Sequence, residues 1–378
     1  VVWAVCAWRR LRAASTVGTP ATAEPACRRC STGNKVLIRN PGELRLGPYN
    51  DQPMTTVAYL GPNGTFAEAA LLTQPDLAAM DKMPVASVPH VLTAVDTGAA
   101  DLGLIPIENA IEGSVTVTLD TLAFDTDLMI QREITHPVRM CLLAAQGAGL
   151  SDITRVRSIP IALAQVRRWM SVNLPDVRVE ATNSTASAAV DVSKDPTGQT
   201  AAVGNALAAE VLGLQILADG IEDHPGNATR FVVVGRGIPG PTGNDKTSIV
   251  CMQRANRPGS LVAILLEFAA RGIDLTNAVS RPLKASGGGA ALGEYCFFLD
   301  LEGHISNEVV ADALLAVQAG PAQVKCLGSY PRDGHPDSDR SREMHQQWLD
   351  AQAWLDLLRS KVRDDSGPLP SPSNQSAS

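Results

Sequence analysis

Between Gly235 and Gly243 the chain reads Gly-Arg-Gly-Ile-Pro-Gly-Pro-Thr-Gly, four glycines and two prolines in nine residues. Regular structure does not survive that composition, because proline removes a backbone donor and glycine adds backbone entropy. The segment predicts a domain boundary, and the patterns on its two sides differ. Upstream, residues 55–236 alternate short apolar strands with helical stretches, which implies an α/β arrangement. Strands are expected at 56–60, 84–88, 101–105, 129–134, 138–144, 155–159, 177–181, 200–203 and 231–234. Helices fit 66–73, 88–98, 115–123, 160–172, 184–192 and 204–212. Downstream, strands at 246–252, 274–281, 294–301 and 322–328 with helices at 259–271 and 306–318 give a β-α-β-β-α-β order, which is ferredoxin-like.

The two ends read differently. Residues 1–53 mix Arg, Thr, Pro and Gly without periodicity, and order sets in after Met54. That stretch is expected to be an over-extended translation, with a flexible leader as the rival reading. After Pro331 the chain turns polar, with one helix expected at 341–362 whose apolar points are Trp348, Leu349, Trp354, Leu355 and Leu358. The tail 364–378, rich in Ser and Pro, is expected to be disordered.

Composition excludes several classes. Apolar residues at 45% and charged ones at 19% describe a globular protein. A net charge of -7 argues against a nucleic-acid partner. The longest apolar stretch, 261–273, is broken by Glu267 and Arg271, so no membrane span is expected. Residues 1–12 place apolar residues before Arg9, Arg10 and Arg12, the reverse of a signal peptide, and the cytoplasm is the expected location. Seven cysteines give no even disulfide framework. Cys141, Cys251, Cys296 and Cys326 lie in apolar strand-like runs and read as small core residues. Cys27 and Cys30 have metal-ligand spacing but no second pair, so neither a metal nor another cofactor is expected.

Three loops carry chemistry. In Gly61-Pro62-Asn63-Gly64-Thr65-Phe66-Ala67-Glu68 a strand ends, a turn comes next, and Thr65 with Glu68 forms a capping box whose free amides would seat a carboxylate. Pro106-Ile107-Glu108-Asn109 is read as a turn after a strand ended by Pro106, with Ser114 capping the next helix. Asn227-Ala228-Thr229-Arg230-Phe231 offers an amide, a hydroxyl and a guanidinium just before the strand 232–234. Taken singly, each is an ordinary turn.

Together, in this order and spacing, Gly-Pro-x-Gly-Thr-Phe, Pro-Ile-Glu-Asn and Asn-x-Thr-Arg-Phe resemble the prephenate dehydratase family. The resemblance spans residues 56–332, because Gly328-Ser329-Tyr330-Pro331 is similar to the end of that family's regulatory domain. It implies a two-lobed catalytic domain at 55–236 like type II periplasmic binding proteins, with lobes at 55–133 plus 223–236 and at 134–222. A ferredoxin-like ACT regulatory domain would follow at 246–332.

The implied reaction converts prephenate to phenylpyruvate with loss of water and carbon dioxide. Thr229 matches the family's catalytic threonine and reads as a positioned donor to the leaving oxygen, since a threonine hydroxyl does not titrate near neutrality. Asn109, Gln165 and Ser158 complete the implied catalytic set. Thr65, Glu108, Asn183, Ser184, Thr185, Arg230 and Phe231 form the implied substrate-binding set, with Arg230 and helix N-termini meeting the substrate's two carboxylates. Where relatives read Ser-His-Pro-Gln, this chain has Ser158-Ile159-Pro160-Ile161, and Ser158 reads equally as a helix N-cap. His136 and His224, each followed by proline, are read as surface residues.

For the effector phenylalanine, Gly259-Ser260-Leu261 resembles the Gly-Ala-Leu turn of ACT domains. Asn277, Ser280 and Arg281 resemble the Glu-Ser-Arg-Pro segment, with Val279 in place of its glutamate. A homodimer or homotetramer is implied. Two other readings remain open at this level, an arogenate dehydratase and a non-catalytic amino-acid sensor.

Overall fold

The computed structural model describes residues 55–284, 290–334 and 338–361. The expectations for 1–53, Cys27, Cys30 and the tail 364–378 concern residues outside these. Among the described residues the strands form three sheets. The first lobe runs β1 (Thr56–Leu60), α1 (Phe66–Leu72), α2 (Pro75–Ala78), β2 (Asp81–Val85), α3 (Val88–Thr97), β3 (Leu102–Asn109), β4 (Gly113–Ser114), α4 (Thr116–Phe124) and β5 (Met129–Pro137). The second lobe runs β6 (Cys141–Ala144), β7 (Arg155–Ser158), α5 (Pro160–Gln165), α6 (Arg167–Asn173), β8 (Arg178–Ala181), α7 (Thr185–Ser193), β9 (Thr200–Gly204), α8 (Ala206–Leu212) and β10 (Gln215–Asp219). The chain then returns to the first sheet as β11 (Ala228–Gly235). The two sheets are ordered β2-β1-β3-β11-β5, with β4 beside β3, and β10-β6-β9-β7-β8. Two crossings therefore join the lobes, and they touch where Val138 N donates to Asn227 O at 2.8 Å.

The C-terminal unit comprises β12 (Asp245–Gln253), α9 (Ser260–Ala269), β13 (Leu275–Lys284), β14 (Ala290–Glu302), α10 (Glu308–Ala319) and β15 (Ala322–Pro331). Its sheet is antiparallel in the order β13-β14-β12-β15. One face packs Ile249, Cys251, Leu299 and Leu301 onto Ile264, Phe268, Ala313 and Val317 of its two helices. The other packs Val250, Cys296, Phe298 and Tyr330 against Ile105, Leu122, Ile130 and Val232 of the first lobe. Lys325 on β15 donates to the carbonyls of Leu122, Ala123 and Thr126, a cation at the C-terminal end of α4. A long helix, α11 (Ser338–Arg359), comes last, starting ahead of the expected 341 and exposing Trp354 and Leu357. No helix of the described residues is long and apolar enough to cross a membrane.

The elements depart from the sequence expectations at several places, including the unexpected α2 and β4. The strand expected at 84–88 lies at 81–85, because Ser87 and Pro89 already start α3. Pro84 is tolerated there because β2 is an edge strand. Strand β10 was not anticipated. The helix expected at 160–172 breaks at Val166, where Asp223 intrudes: its N–H donates to Gln165 O at 2.6 Å, and its carboxylate accepts from the N–H groups of Arg168 and Trp169. At α1, Thr65 accepts from Glu68 N as expected, but Glu68 reaches back to Gly64 N at 2.6 Å rather than to the cap residue itself.

Gly328 packs directly against the backbone of the first lobe. A Cβ there would stand 2.5 Å from Ile130 O and 2.7 Å from Ile130 N, both backbone atoms of β5. Backbone cannot move aside as a side-chain tip can. Gly328→Ala is expected to destabilise the folded chain by roughly 1–3 kcal/mol, visible as a lowered urea midpoint.

Candidate active site

The third motif is strand rather than turn. β11 begins at Ala228, so Thr229 and Arg230 lie within it and their side chains point to opposite faces. β3 likewise continues through Pro106 to Asn109. Proline is accommodated because β1 pairs with β3 only as far as Leu104, leaving no neighbour on that side to require a donor. Across the sheet Thr229 stands opposite Asn109 on β3 and opposite His136 on β5, while Arg230 stands opposite Glu108.

A bulge sets this phase. Val233 faces Leu104 and Phe231 faces Pro106, but Arg230 faces Glu108, so β3 carries one extra residue at Ile107. An added residue shifts the alternation by one and re-aims the side chains beyond it. It places Asn109 beside Thr229; an unbroken register would have put Glu108 there.

On this face Asn109 is held rigidly. Its Oδ1 accepts from Ile111 N and Glu112 N, both at 3.0 Å, which directs its Nδ2 at Thr229 Oγ1, 3.0 Å away, and at Ala228 O, 3.3 Å away. Thr229 accepts that bond and keeps its own O–H free to donate. Beside it, Asn227 Nδ2 donates to Gln165 Oε1 at 3.0 Å, joining the return crossing to the second lobe. The break between α5 and α6 is what turns Gln165 out of a continuous helix at this point.

Two buried polar atoms here have no hydrogen-bond partner among the described residues: Asn227 Oδ1, an acceptor, and Asn205 Nδ2, a donor. Both residues are 5% exposed. Leaving such a group unpaired costs about 1–3 kcal/mol, so the pair suits a polar ligand. Asn205 comes directly after β9 and caps α8 through Ala208 N. The first lobe reaches the same helix: a Cβ on Gly64, whose φ is +82°, would lie 3.1 Å from Ala208 Cα. Only glycine suits that approach. Phe66 bridges the lobes by packing against both of their cores.

Asn205 and His136 were missed from sequence. His136 is half-buried, and burial lowers its pKa from 6.5, so the ring is neutral at pH 7. Its place beside Thr229 comes from strand register, for which a lone histidine before proline carries no signal.

Arg230 requires a correction. It was expected to meet a substrate carboxylate, but it points away from Thr229 into a set of protein carboxylates. Its nitrogens lie 3.2 Å from Glu108, 3.0 Å from Glu133 and 2.9 Å from Asp300. Burial opposes its charge, yet Asp300 and Glu133 outweigh that and raise its pKa above the ordinary arginine value. Glu108 is turned to this same side, so it too leaves the cleft face. Phe231 is a core residue packed with Tyr59, Leu71 and Leu104.

The remaining candidates divide. Ser158 ends β7 rather than capping a helix, and its buried Oγ donates to Val203 O at 2.7 Å, so its hydroxyl proton is spent inside the second sheet. Thr65 donates to Leu60 O, which leaves the loop's backbone rather than its hydroxyl to face a ligand. Ser184 caps α7 by accepting from Ser187 N, Thr185 is buried in its first turn, and Asn183 is exposed. Gly259 starts α9 in a left-handed conformation, Ser260 closes the turn onto Arg257 O, and Leu261 is exposed. Asn277 and Arg281 face the first lobe, while Ser280 faces the other way. Arg281 lies 3.3 Å from Asp120 on α4, an ion pair between the C-terminal sheet and the first lobe.

Comparison with known proteins agrees with this architecture. Residues 57–238 match the family model described as prephenate dehydratase. The prephenate dehydratase of Mycobacterium tuberculosis is 44% identical over 290 residues, covering 74% of this chain and 87% of that protein. Among solved structures, the prephenate dehydratase from Arthrobacter aurescens in complex with L-Phe superposes with a TM-score of 0.73 at 38% identity, covering 81% of this chain and all of that one. GqqA, described as a novel type of quorum quenching acylase, superposes with a TM-score of 0.64 at 29% identity, covering 74% and 98%. The chain belongs to the prephenate dehydratase family.

Proposed function

We propose that the chain catalyses the decarboxylating dehydration of prephenate to phenylpyruvate at the Asn109–Thr229 pair, within a catalytic domain at 55–236. The observation that carries this reading is the 3.0 Å bond from Asn109 Nδ2 to Thr229 Oγ1, on strands whose register puts both side chains on one face. That bond leaves the threonine O–H to donate to the substrate's departing oxygen, as a preorganised donor aimed at developing charge. As the C–CO2 bond breaks, its electron pair enters the ring. The C–O bond then breaks, and the leaving hydroxide takes up a proton from solvent to become water.

Neutral His136, beside Thr229, adds a second polar group at the same point without charge that would hold the departing carboxylate. With Arg230 turned away, the substrate's negative charge falls to the N–H groups of Asn63 and Thr65 and of Thr185 at the start of α7, since those of Gly61, Gly64 and Ser184 already donate to Val85 O, Glu68 Oε2 and Ser187 Oγ. Of the orphaned atoms, Asn205 Nδ2 supplies a donor for its keto oxygen and Asn227 Oδ1 an acceptor for its hydroxyl.

The unit at 246–332 is read as an ACT domain that takes phenylalanine as effector, a reading supported by the L-Phe complex of the Arthrobacter aurescens relative. Exposed Leu261, Val262 and Leu266 on α9 offer an apolar face through which two such units pair.

Purified protein is expected to form phenylpyruvate from prephenate; an acylase assay run alongside tests the activity described for GqqA, and arogenate tests the amine substrate. Thr229→Ala should lower kcat about 100-fold or more with little change in KM, and Thr229→Ser should retain most activity. Saturating phenylalanine should inhibit, and calorimetry should detect its binding. Because folding lowers the pKa of His136 below 6.5, the unfolded chain takes up that proton first as pH falls. Stability is therefore expected to drop as pH falls through the ordinary histidine range, and His136→Leu should flatten that part of the urea-midpoint profile.

A further inference from the structure

Behind the catalytic pair lies a buried group of charges that the proposed reaction does not use. Arg230 joins Glu133 at 3.0 Å and Asp300 at 2.9 Å. Lys246 Nζ donates to both Glu133 oxygens, at 3.0 and 2.9 Å. Asp300 Oδ1 accepts from Ser248 Oγ at 2.6 Å, and Ser248 in turn lies 2.6 Å from the Tyr330 hydroxyl. Burial keeps that phenol neutral, so it donates to Ser248. Side-chain exposure is 4% at Glu133, 8% at Lys246, 9% at Asp300 and 13% at Arg230. Two cations thus face two anions, and four of the partners, Lys246, Ser248, Asp300 and Tyr330, belong to the C-terminal sheet.

The placement of this group relates it to the site. Arg230 comes directly after Thr229 on β11, and Glu108, which Arg230 also holds at 3.2 Å, precedes Asn109 on β3. The same guanidinium therefore fixes the residue next to each half of the catalytic pair, just where the β3 bulge leaves the ladder irregular. On the other side, Asp300 stands opposite Asn277 on β13, the start of the segment through 281 that was tied to effector recognition.

We propose that Asp300 is a positioning residue for the Asn109–Thr229 pair, acting through Arg230, and that this contact transmits the state of the C-terminal sheet to the catalytic face. The inference deepens the proposed reaction and rests on it for its kinetic readout. If Asp300 loses its charge, Arg230 keeps Glu108 and Glu133 but loses its anchor in the C-terminal sheet, and the Thr229 hydroxyl is no longer held at one angle to the substrate.

The test uses the full chain. Asp300→Asn keeps size and removes charge, Asp300→Glu keeps charge, and Ser248→Ala removes one hydrogen bond to the carboxylate. Expected for Asp300→Asn are a kcat lowered about fivefold or more with KM within about twofold, a weakened response to phenylalanine, and recovery of most of the kcat in Asp300→Glu. A purely structural role would lower the urea midpoint and leave kcat of the folded enzyme and its phenylalanine response unchanged, and that result overturns the proposal. If Asp300→Asn does not fold, Ser248→Ala decides: a kcat loss at constant KM supports the proposal, and unchanged kcat and phenylalanine response overturn it. Hydrogen exchange separates this inference from the reaction assignment. Amides 229–231 should exchange about tenfold faster in Asp300→Asn, or in Ser248→Ala if the former does not fold, while β1 is unaffected, whatever substrate the enzyme takes. Unchanged exchange there, with prephenate turned over by the wild type, rejects the inference and leaves the reaction standing.

Discussion

Strand β11 is held on both sides, by β3 and by β5, along nearly its whole length. Most of the candidate site depends on it. It returns from the second lobe, so its start at Asn227 and Ala228 sets where the lobes meet. Its alternation sends Thr229 to the cleft and Arg230 to the C-terminal sheet. A strand with two hydrogen-bonded neighbours has no freedom to twist one of those side chains without moving the other. The Thr229–Asn109 contact and the interdomain contacts of Arg230 are consequently opposite sides of one backbone segment.

The bulge at Ile107 is the second requirement. It serves two faces at once: Ile107 joins the core shared with the C-terminal sheet, while Asn109 turns to Thr229. Its local irregularity needs support, and the Arg230–Glu108 pair supplies it from behind. Burying four charges carries a desolvation cost, and well-packed apolar residues would often be no less stable. Within this fold the network brings directional constraint: Arg230 is shared by Glu108, Glu133 and Asp300, and Lys246 of the C-terminal sheet adds a second cation at Glu133.

The lobes are joined more lightly than the sheets behind them. Gly64 against Ala208, Phe66 between two cores, and one Asn227–Gln165 bond are the contacts that span the front. A front held by few contacts and a back held by buried charge is the arrangement expected of a protein that encloses a ligand at one side and receives a signal at the other.

Element types, their order and the chemical groups at the site were determined by the sequence alone, because hydrophobic periodicity and Gly/Pro punctuation are local signals. The linker at 235–243 and the βαββαβ unit came from that level, while Thr229 and Asn109 as site residues came from the family resemblance and their pairing from the structure. The faces to which residues point did not. Asn227–Phe231 reads as a turn because its polar residues break the apolar run, yet two neighbouring strands make it β-structure. Arg230 then finds Glu108 and Asp300, 122 and 70 residues away in sequence. Phase along a strand is set by pairing partners and bulges, which are long-range facts, so only the tertiary structure decided that the arginine of the motif turns to the carboxylates behind the sheet and not to the face that carries the threonine.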